Sequence, residues 1–329
     1  MKIKIPNQFA LTVVPRFLIE LRKFEAINED VYIDFSELNY SYPFSMLSIG
    51  SGIRQFVAIR GGKGLNTYVE GLDDRSVHSY LSHIGFFNYI FLPLGKKMGQ
   101  AKGSATYIPI KKLNKNSLVA QTSPPYRMLR HVILDESKRL AKLILNNDSN
   151  QDALQILSYC IREIIRNVFE HSNSDDCFIF GQRWYDGSVE ISIIDEGIGI
   201  RQSLIEHYDI KSSKKAVKLS LEPGVSRITK IDDENNIHDN SGFGLYILQR
   251  IGDEFGWFTI GSDEFQISLK NGESYEHETA FRGTYVGLRL NSIPKNFSQK
   301  LEEIIYEGEY EAYIMGRNTT ASSSSREFF

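Results

Sequence analysis

The chain is 329 residues long, with 38 Lys+Arg against 41 Asp+Glu and a formal net charge of −3. That length suits about two domains, and 41% apolar with 24% charged residues excludes a wholly disordered chain. The near-neutral balance excludes a nucleic-acid-coating protein, and two cysteines, Cys160 and Cys177, exclude a disulfide framework or a Cys-based zinc site. No apolar run reaches the roughly 18 residues of a transmembrane helix, and the start Met1-Lys-Ile-Lys-Ile-Pro6 lacks a signal-peptide core. The expectation is a cytoplasmic, two-domain protein with no membrane and no nucleic-acid partner.

In chain order, Val31–Phe35 reads as a buried strand and Phe44–Ile53 as a helix interrupted by Gly50 and Gly52. Val57–Arg60 is a candidate second strand. Asp74–Ile84 is a helix with Val77, Leu81 and Ile84 on one face and Gly85 as its stop. This alternation implies a small α/β layer over residues 1–95. A Gly-, Lys- and Ser-rich connecting segment follows over 96–125, with a short strand at Thr106–Ile110 and its firmest punctuation at Ser123-Pro-Pro125. A second block, 126–295, holds two long helical patterns (Met128–Leu145 and Gln151–His171), then strands, a polar stretch, another helix and more strands. Residues 296–329 are expected to form a C-terminal helix and a tail, Thr319-Thr-Ala-Ser-Ser-Ser-Ser-Arg326, with the composition of a disordered end.

The chemistry-bearing residues lie in the second block. At about 100° per residue, Leu157, Ile161, Ile164, Ile165 and Val168 share one apolar helix face. Glu163 and Asn167 then lie side by side at its rim, with Arg162 and Arg166 beyond them toward water. A lone Glu-x-x-x-Asn is an ordinary solvated helix face, so the following segments carry the argument. Phe178–Tyr185 and Ser188–Ile194 are strands joined by an Asp186-Gly187 hairpin turn. The second strand ends in Asp195-Glu-Gly-Ile-Gly199, where a carboxylate can accept a hydrogen bond and Gly197 and Gly199 allow close approach of a ring. A long polar stretch, Arg201–Asn240, has the length of a functional lid. It leads to Ser241-Gly-Phe-Gly-Leu245, a Gly-rich helix start suited to phosphate oxygens. Neither glycine pair extends to a Gly-x-Gly-x-x-Gly dinucleotide fingerprint, and no P-loop occurs.

The order Glu163-Ile-Ile-Arg-Asn167, Asp195-Glu-Gly-Ile-Gly199, lid, Gly242-Phe-Gly-Leu245 and Gly283-Thr284 resembles the GHKL ATPase superfamily of gyrase, the Hsp90 chaperone, histidine kinases and mismatch-repair proteins. The likeness covers about residues 126–291. It implies a Bergerat-type α/β sandwich, with helices on one face of a mixed sheet, binding ATP and Mg²⁺. By that resemblance Asn167 holds Mg²⁺ at the three phosphates and Asp195 contacts the adenine amino group. Gly197 and Gly199 lie beside the base, Gly242, Phe243, Gly244 and Leu245 line the phosphates, and Thr284 supports Asp195 through a water. Glu163 is the general base, and His171 polarises it or contacts phosphate. Asn167-Val-Phe-Glu-His-Ser172 is most similar to the anti-sigma-factor serine kinases, and residues 10–92 resemble STAS domains. There, no serine stands in register with a phosphoacceptor at Tyr42-Pro-Phe44, although Ser41 and Ser45 flank it.

Three functions follow as alternatives: an ATPase that signals through lid closure to a protein partner or a second copy in a homodimer, a serine/threonine protein kinase, and a non-catalytic nucleotide sensor in bacterial regulation. A histidine kinase fits least, because His131 is not followed by the usual Glu and Pro.

Overall fold

A computed structural model describes residues 1–103, 106–120, 129–146, 150–226, 241–322 and 326. The Ser123-Pro-Pro125 punctuation and the last third of the proposed lid, residues 227–240, lie outside that set.

The N-terminal layer is built on three short parallel strands, β1 (Lys2–Lys4), β3 (Val31–Asp34) and β5 (Thr67–Glu70), in the order β1-β3-β5. A separate parallel pair joins β2 (Gln8–Phe9) to β4 (Tyr40–Ser41). The crossovers are helices α1 (Val14–Phe24) and α2 (Pro43–Gly62), and α3 (Ser76–Ile84) and α4 (Phe86–Tyr89) close the layer. Gly85 ends α3 in the left-handed region at φ 89°.

Helix α2 corrects the expectation of a strand at Val57–Arg60, because that segment is its last turns. Its first ten residues are all buried, so the one-sided apolar stripe that marks a surface helix is missing from the sequence. Pro43 starts it where no amide is needed. Arg60, fully buried, finishes it by donating to the carbonyls of Ile27 at 2.7 Å and Asn66 at 3.1 Å.

The second half forms a five-stranded sheet in the order β6-β7-β8-β10-β9, with β6 (Tyr107–Asn114), β7 (Asp176–Arg183), β8 (Val189–Asp195), β9 (Gly256–Lys270) and β10 (Glu273–Leu290). All four pairings are antiparallel, so parallel pairing is confined to the N-terminal strands. β6 pairs at the sheet edge within the stretch read as a connector. The β7–β8 hairpin turns at Asp186-Gly187, where Gly187 takes φ +85° and Trp184 N–H donates to Ser188 O at 2.8 Å. After α5 (Lys115–Ala120) come α6 (Leu129–Leu145) and α7 (Gln151–His171), the latter capped by Asn150 Oδ1 accepting from Ala153 N–H at 3.0 Å. Helix α10 (Gly244–Phe255) packs beside α7, and α11 (Phe297–Ile314) lies against both. The Asp152 carboxylate fixes the start of α11 by accepting from Phe297 N–H at 2.8 Å.

Both faces of this sheet are buried. Cys177, Ile179, Val189, Ile191, Ile193, Val286 and Leu288 belong to one apolar core with α6, α7 and α10. Phe178, Phe180, Ile194, Phe281 and Tyr285, the alternate residues, belong to a second core with α1 to α4. The helices on one face are thus matched by the N-terminal layer on the other, and all seven residues of β8 are buried. Because Phe180 is fully buried in the shared core, Phe180→Ala is expected to destabilise the protein by about 3–5 kcal/mol. Both halves should melt in one lowered transition in a thermal scan. Two transitions, with only one displaced, would show that the layers fold independently.

Candidate active site

One cleft gathers the ends of these elements. It encloses about 970 Å³ of space, its open mouth included. Helix α7 contributes Glu163, Arg166, Asn167 and His171, strand β8 contributes Asp195, and β10 contributes Thr284. Gly199 comes from the start of α8 (Gly199–Leu204), and Gly242, Gly244 and Leu245 come from the start of α10. Phe243 and Gly197 are not in the lining. Phe243 is fully buried in the helical core, and Gly197 packs so closely on the Ser172 carbonyl that a Cβ would lie 2.1 Å from its oxygen.

Asp195 is 2% exposed and ends the doubly buried strand. Burial pushes its carboxyl up to about 7, against the hydrogen bond from Gly197 N–H at 2.9 Å and those from Thr284. Thr284 stands opposite Asp195 in the β8–β10 ladder, so its support is direct. Gly283 makes this approach possible. It takes φ +107°, and a Cβ there would lie 2.2 Å from Asp195 O.

At the other end of the cleft, Glu163 meets the first residue of α10. A Cβ on Gly244 would lie 2.4 Å from Glu163 Oε2, so only glycine leaves the carboxylate its position. Helix α10 begins without a side-chain cap, which leaves first-turn amides and a partial positive charge to an incoming anion. Glu163 Oε1 accepts from Arg162 Nε at 2.9 Å and Nη2 at 2.5 Å, and Arg166 Nη1 lies 3.6 Å away.

The expectation that Arg162 and Arg166 face water is therefore corrected. They are 3% and 5% exposed, because α10 and α11 cover that side of α7. Arg162 also lies over the Tyr159 ring, and Arg166 pairs with Glu170 at 3.3 Å. The run Glu163, Arg166, Glu170 at helical spacing was the available signal, since alternating charges three and four apart pair with one another.

Two further corrections concern the cleft's rim. The polar stretch after Gly199 is partly helical over its described residues, 201–226: α8 and α9 (Ser213–Ser220), with the residues beside them, bury Leu204, Ile210, Ala216, Val217 and Leu221. The tail, read as disordered, packs at Ala321 (7% exposed) and Ser322 (9%), and Ser322 lines the cleft.

Among the side chains facing the cleft, the Asn167 carboxamide nitrogen is buried without a hydrogen-bond partner. Such an orphan in a pocket wall marks a group awaiting a ligand. Which amide atom faces the ligand is interchangeable, so the carboxamide oxygen suits a hard cation. Among the described residues no cluster of three His, Cys, Asp or Glu could hold a metal. Mg²⁺ at Asn167 would therefore share its shell with phosphates and water, its usual mode.

The loops around Asp195 are also tied to the N-terminal layer. Glu196 Oε1 accepts from Ser51 Oγ at 2.6 Å and Arg54 Nε at 3.1 Å, both on α2. Arg282, just before Gly283, bonds Glu25 bidentately at 2.7 and 2.8 Å, and its carbonyl accepts from Gln55 Nε2 at 2.7 Å.

Residues 152–291 match the family model described as "Histidine kinase-, DNA gyrase B-, and HSP90-like ATPase". That segment, with its sandwich of helices on a sheet, is a GHKL-type ATPase domain of the Bergerat fold, a class that binds ATP. The searches of curated proteins and of solved structures gave no match. No helix among the described residues is long and apolar enough to cross a membrane.

The raised Asp195 carboxyl has a testable consequence. An unfolded aspartate ionises near pH 3.9, so between about pH 4 and 7 the folded state holds a proton that the unfolded state releases. Stability from this group is complete below pH 4 and lost as pH rises through about 7. Asp195→Asn removes that dependence. Relative to the parent, the nucleotide-free variant should gain in Tm at pH 8 compared with pH 5. Glu190, also pushed up to about 7 by burial, remains in both proteins and cancels. A Tm difference flat from pH 5 to 8 contradicts the assignment.

Proposed function

We propose that this protein is a Mg²⁺-dependent ATP hydrolase in which Glu163 is the general base. In this reading the Asp195 carboxylate accepts the adenine amino hydrogen, with Gly199 beside the base and Thr284 holding Asp195 in place. Asn167 would hold Mg²⁺, which would neutralise the charge of the phosphates. The amides of Gly242, Gly244 and Leu245 cradle the terminal phosphates. Glu163 takes the proton of the attacking water, and His171 completes the wall beside Asn167.

The observation that carries this reading is the contact of Glu163 Oε2 with Gly244 at the uncapped start of α10. A base must reach the nucleophile at the phosphate being cleaved, and a helix N-terminus is where that phosphate would dock. The bonds from Arg162 and Arg166 hold one Glu163 oxygen, which orients the other.

Labelled ATP with Mg²⁺ tests the assignment, read as ADP formed and nucleotide bound. Glu163→Gln should bind ATP with little change and lower ADP formation by about 10²–10⁴-fold. Asp195→Ala should abolish binding, and Asn167→Ala should remove the dependence of binding on Mg²⁺. Undiminished ADP formation in Glu163→Gln would sink the role of the base.

The output we infer is the N-terminal layer. Ser51, Arg54, Gln55 and Glu25 hold Glu196, next to Asp195, and Arg282, two residues before Thr284, so closure on ATP would pull on α2. Arg54→Ala should uncouple them. Hydrogen exchange in α2, slowed by ATP in the parent, should become insensitive to ATP while nucleotide still binds. Equal protection in both proteins argues for another route.

A further inference from the structure

We propose that Ser322, in the C-terminal segment, is a phosphoryl acceptor that this site modifies within its own chain; the proposal rests on the ATP-cleaving reading above. After α11 the backbone reverses at Gly316, with Arg317 N–H returning to Ala312 O at 2.9 Å. The segment is then fastened step by step toward the cleft. Arg317 bonds Pro223 O at 3.1 Å and the Glu222 carboxylate at 2.5 Å. Thr319 packs on Gly224, and Gly224 N–H donates to the carbonyl of Gly242, the first glycine of the phosphate-side loop, at 3.1 Å. Ala321 N–H donates to Glu309 at 2.9 Å. Ser322 follows, 9% exposed, lining the cleft with Glu163, Gly242 and Gly244.

Asn318-Thr-Thr-Ala-Ser322 has little apolar surface to drive it inside. Its place is set by the directed bonds just named, and these bring Ser322 to the cleft wall. A serine hydroxyl is a weak nucleophile unless a base adjoins it, and the cleft holds a carboxylate in that role. In the step, Ser322 Oγ attacks the γ-phosphorus of ATP and an Oγ–P bond forms. The bond from the γ-phosphorus to the bridging oxygen breaks, its electron pair leaves with ADP, and the hydroxyl proton passes to Glu163. The products are phosphoserine in the tail and ADP, with no further reactant.

Full-length protein incubated with γ-labelled ATP and Mg²⁺ should take up label, found by mass spectrometry on Ser322. Ser322→Ala should lose about ten-fold or more of it, and Ser322→Thr, which keeps the hydroxyl, should retain it. Transfer within one chain also requires that Glu163→Gln protein stay unlabelled when mixed with a size-tagged parent. ADP and free phosphate without label on the chain overturn this proposal and leave hydrolysis standing. Label unchanged in Ser322→Ala, or transferred to the Glu163→Gln chain, also overturns it. Bound ATP with no ADP formed removes the ATP-cleaving reading as well.

Discussion

The rest of the structure depends on the burial of β8 on both faces. A strand that is dry on one side can alternate apolar with polar residues, but β8 presents Val189, Ile191 and Ile193 to the helices and Glu190, Ser192 and Ile194 to the N-terminal layer. A polar residue on the second face therefore needs a partner. Glu190 finds one in the Phe44 N–H at the start of α2, at 2.9 Å, with Arg289 at 3.4 Å. A sheet carboxylate thus stands where a helix normally has its own cap, complementing the positive end of α2. Asp195, at the end of the strand, alternates with Ile191 and Ile193 and belongs to the opposite face, where burial at the cleft raises its carboxyl.

That arrangement makes α2 a structural neighbour of the site. Gln55 follows Ser51 by four positions, about one helical turn, and within that turn α2 holds Glu196, next to Asp195, and Arg282 of β10. Arg54 is further confined by the rings of Tyr89 and Phe178, at 4.8 and 4.7 Å, and by its bond to Tyr89 O at 2.6 Å. An arginine fixed on three sides leaves little slack between Glu196 and α2, as the proposed coupling requires. The exposed ion pairs elsewhere, such as Lys4–Glu37, carry no comparable constraint.

Much of this was legible in local sequence. The bounds of α7, the Asp186-Gly187 turn and the ladder ending at Asp195 all follow from short-range rules, since caps, turns and period-two alternation are encoded within a few residues. What stayed hidden is what distant segments impose. Helix α2 was misread in its last turns because apolar neighbours surround it and erase the helical period. Arg162 and Arg166 were assigned to water because nothing near them announces that α11, more than a hundred residues later, covers their side of α7. Phe243 lies within a site motif yet is buried in the helical core, and Gly197 reaches the site through its N–H to Asp195 rather than through the cleft lining, a distinction that spacing does not carry. Ser322 was invisible as a cleft residue for the same reason: its position depends on Glu222, Gly224 and Glu309, not on its neighbours in the chain.

The buried charges on α7 bear on why such a site would keep its base tied. Removing one partner of a buried pair leaves an uncompensated charge, at a cost of about 3–5 kcal/mol, so Glu163, Arg162 and Arg166 are locked together as a unit. A freely rotating carboxylate would sample many orientations, and its accepting oxygen would be aimed correctly only a fraction of the time. Here Oε1 is anchored, and Gly244 keeps Oε2 within reach of the place where an anion would cap α10. The anchor also sets two positive charges beside that place, suited to the charge that builds on phosphoryl oxygens during transfer. Replacing Gly244 by any larger residue would press on Oε2 and break this aim without touching a charge. In the proposed reading the smallest residue at the helix start would thus be as much a part of the chemistry as the carboxylate it faces.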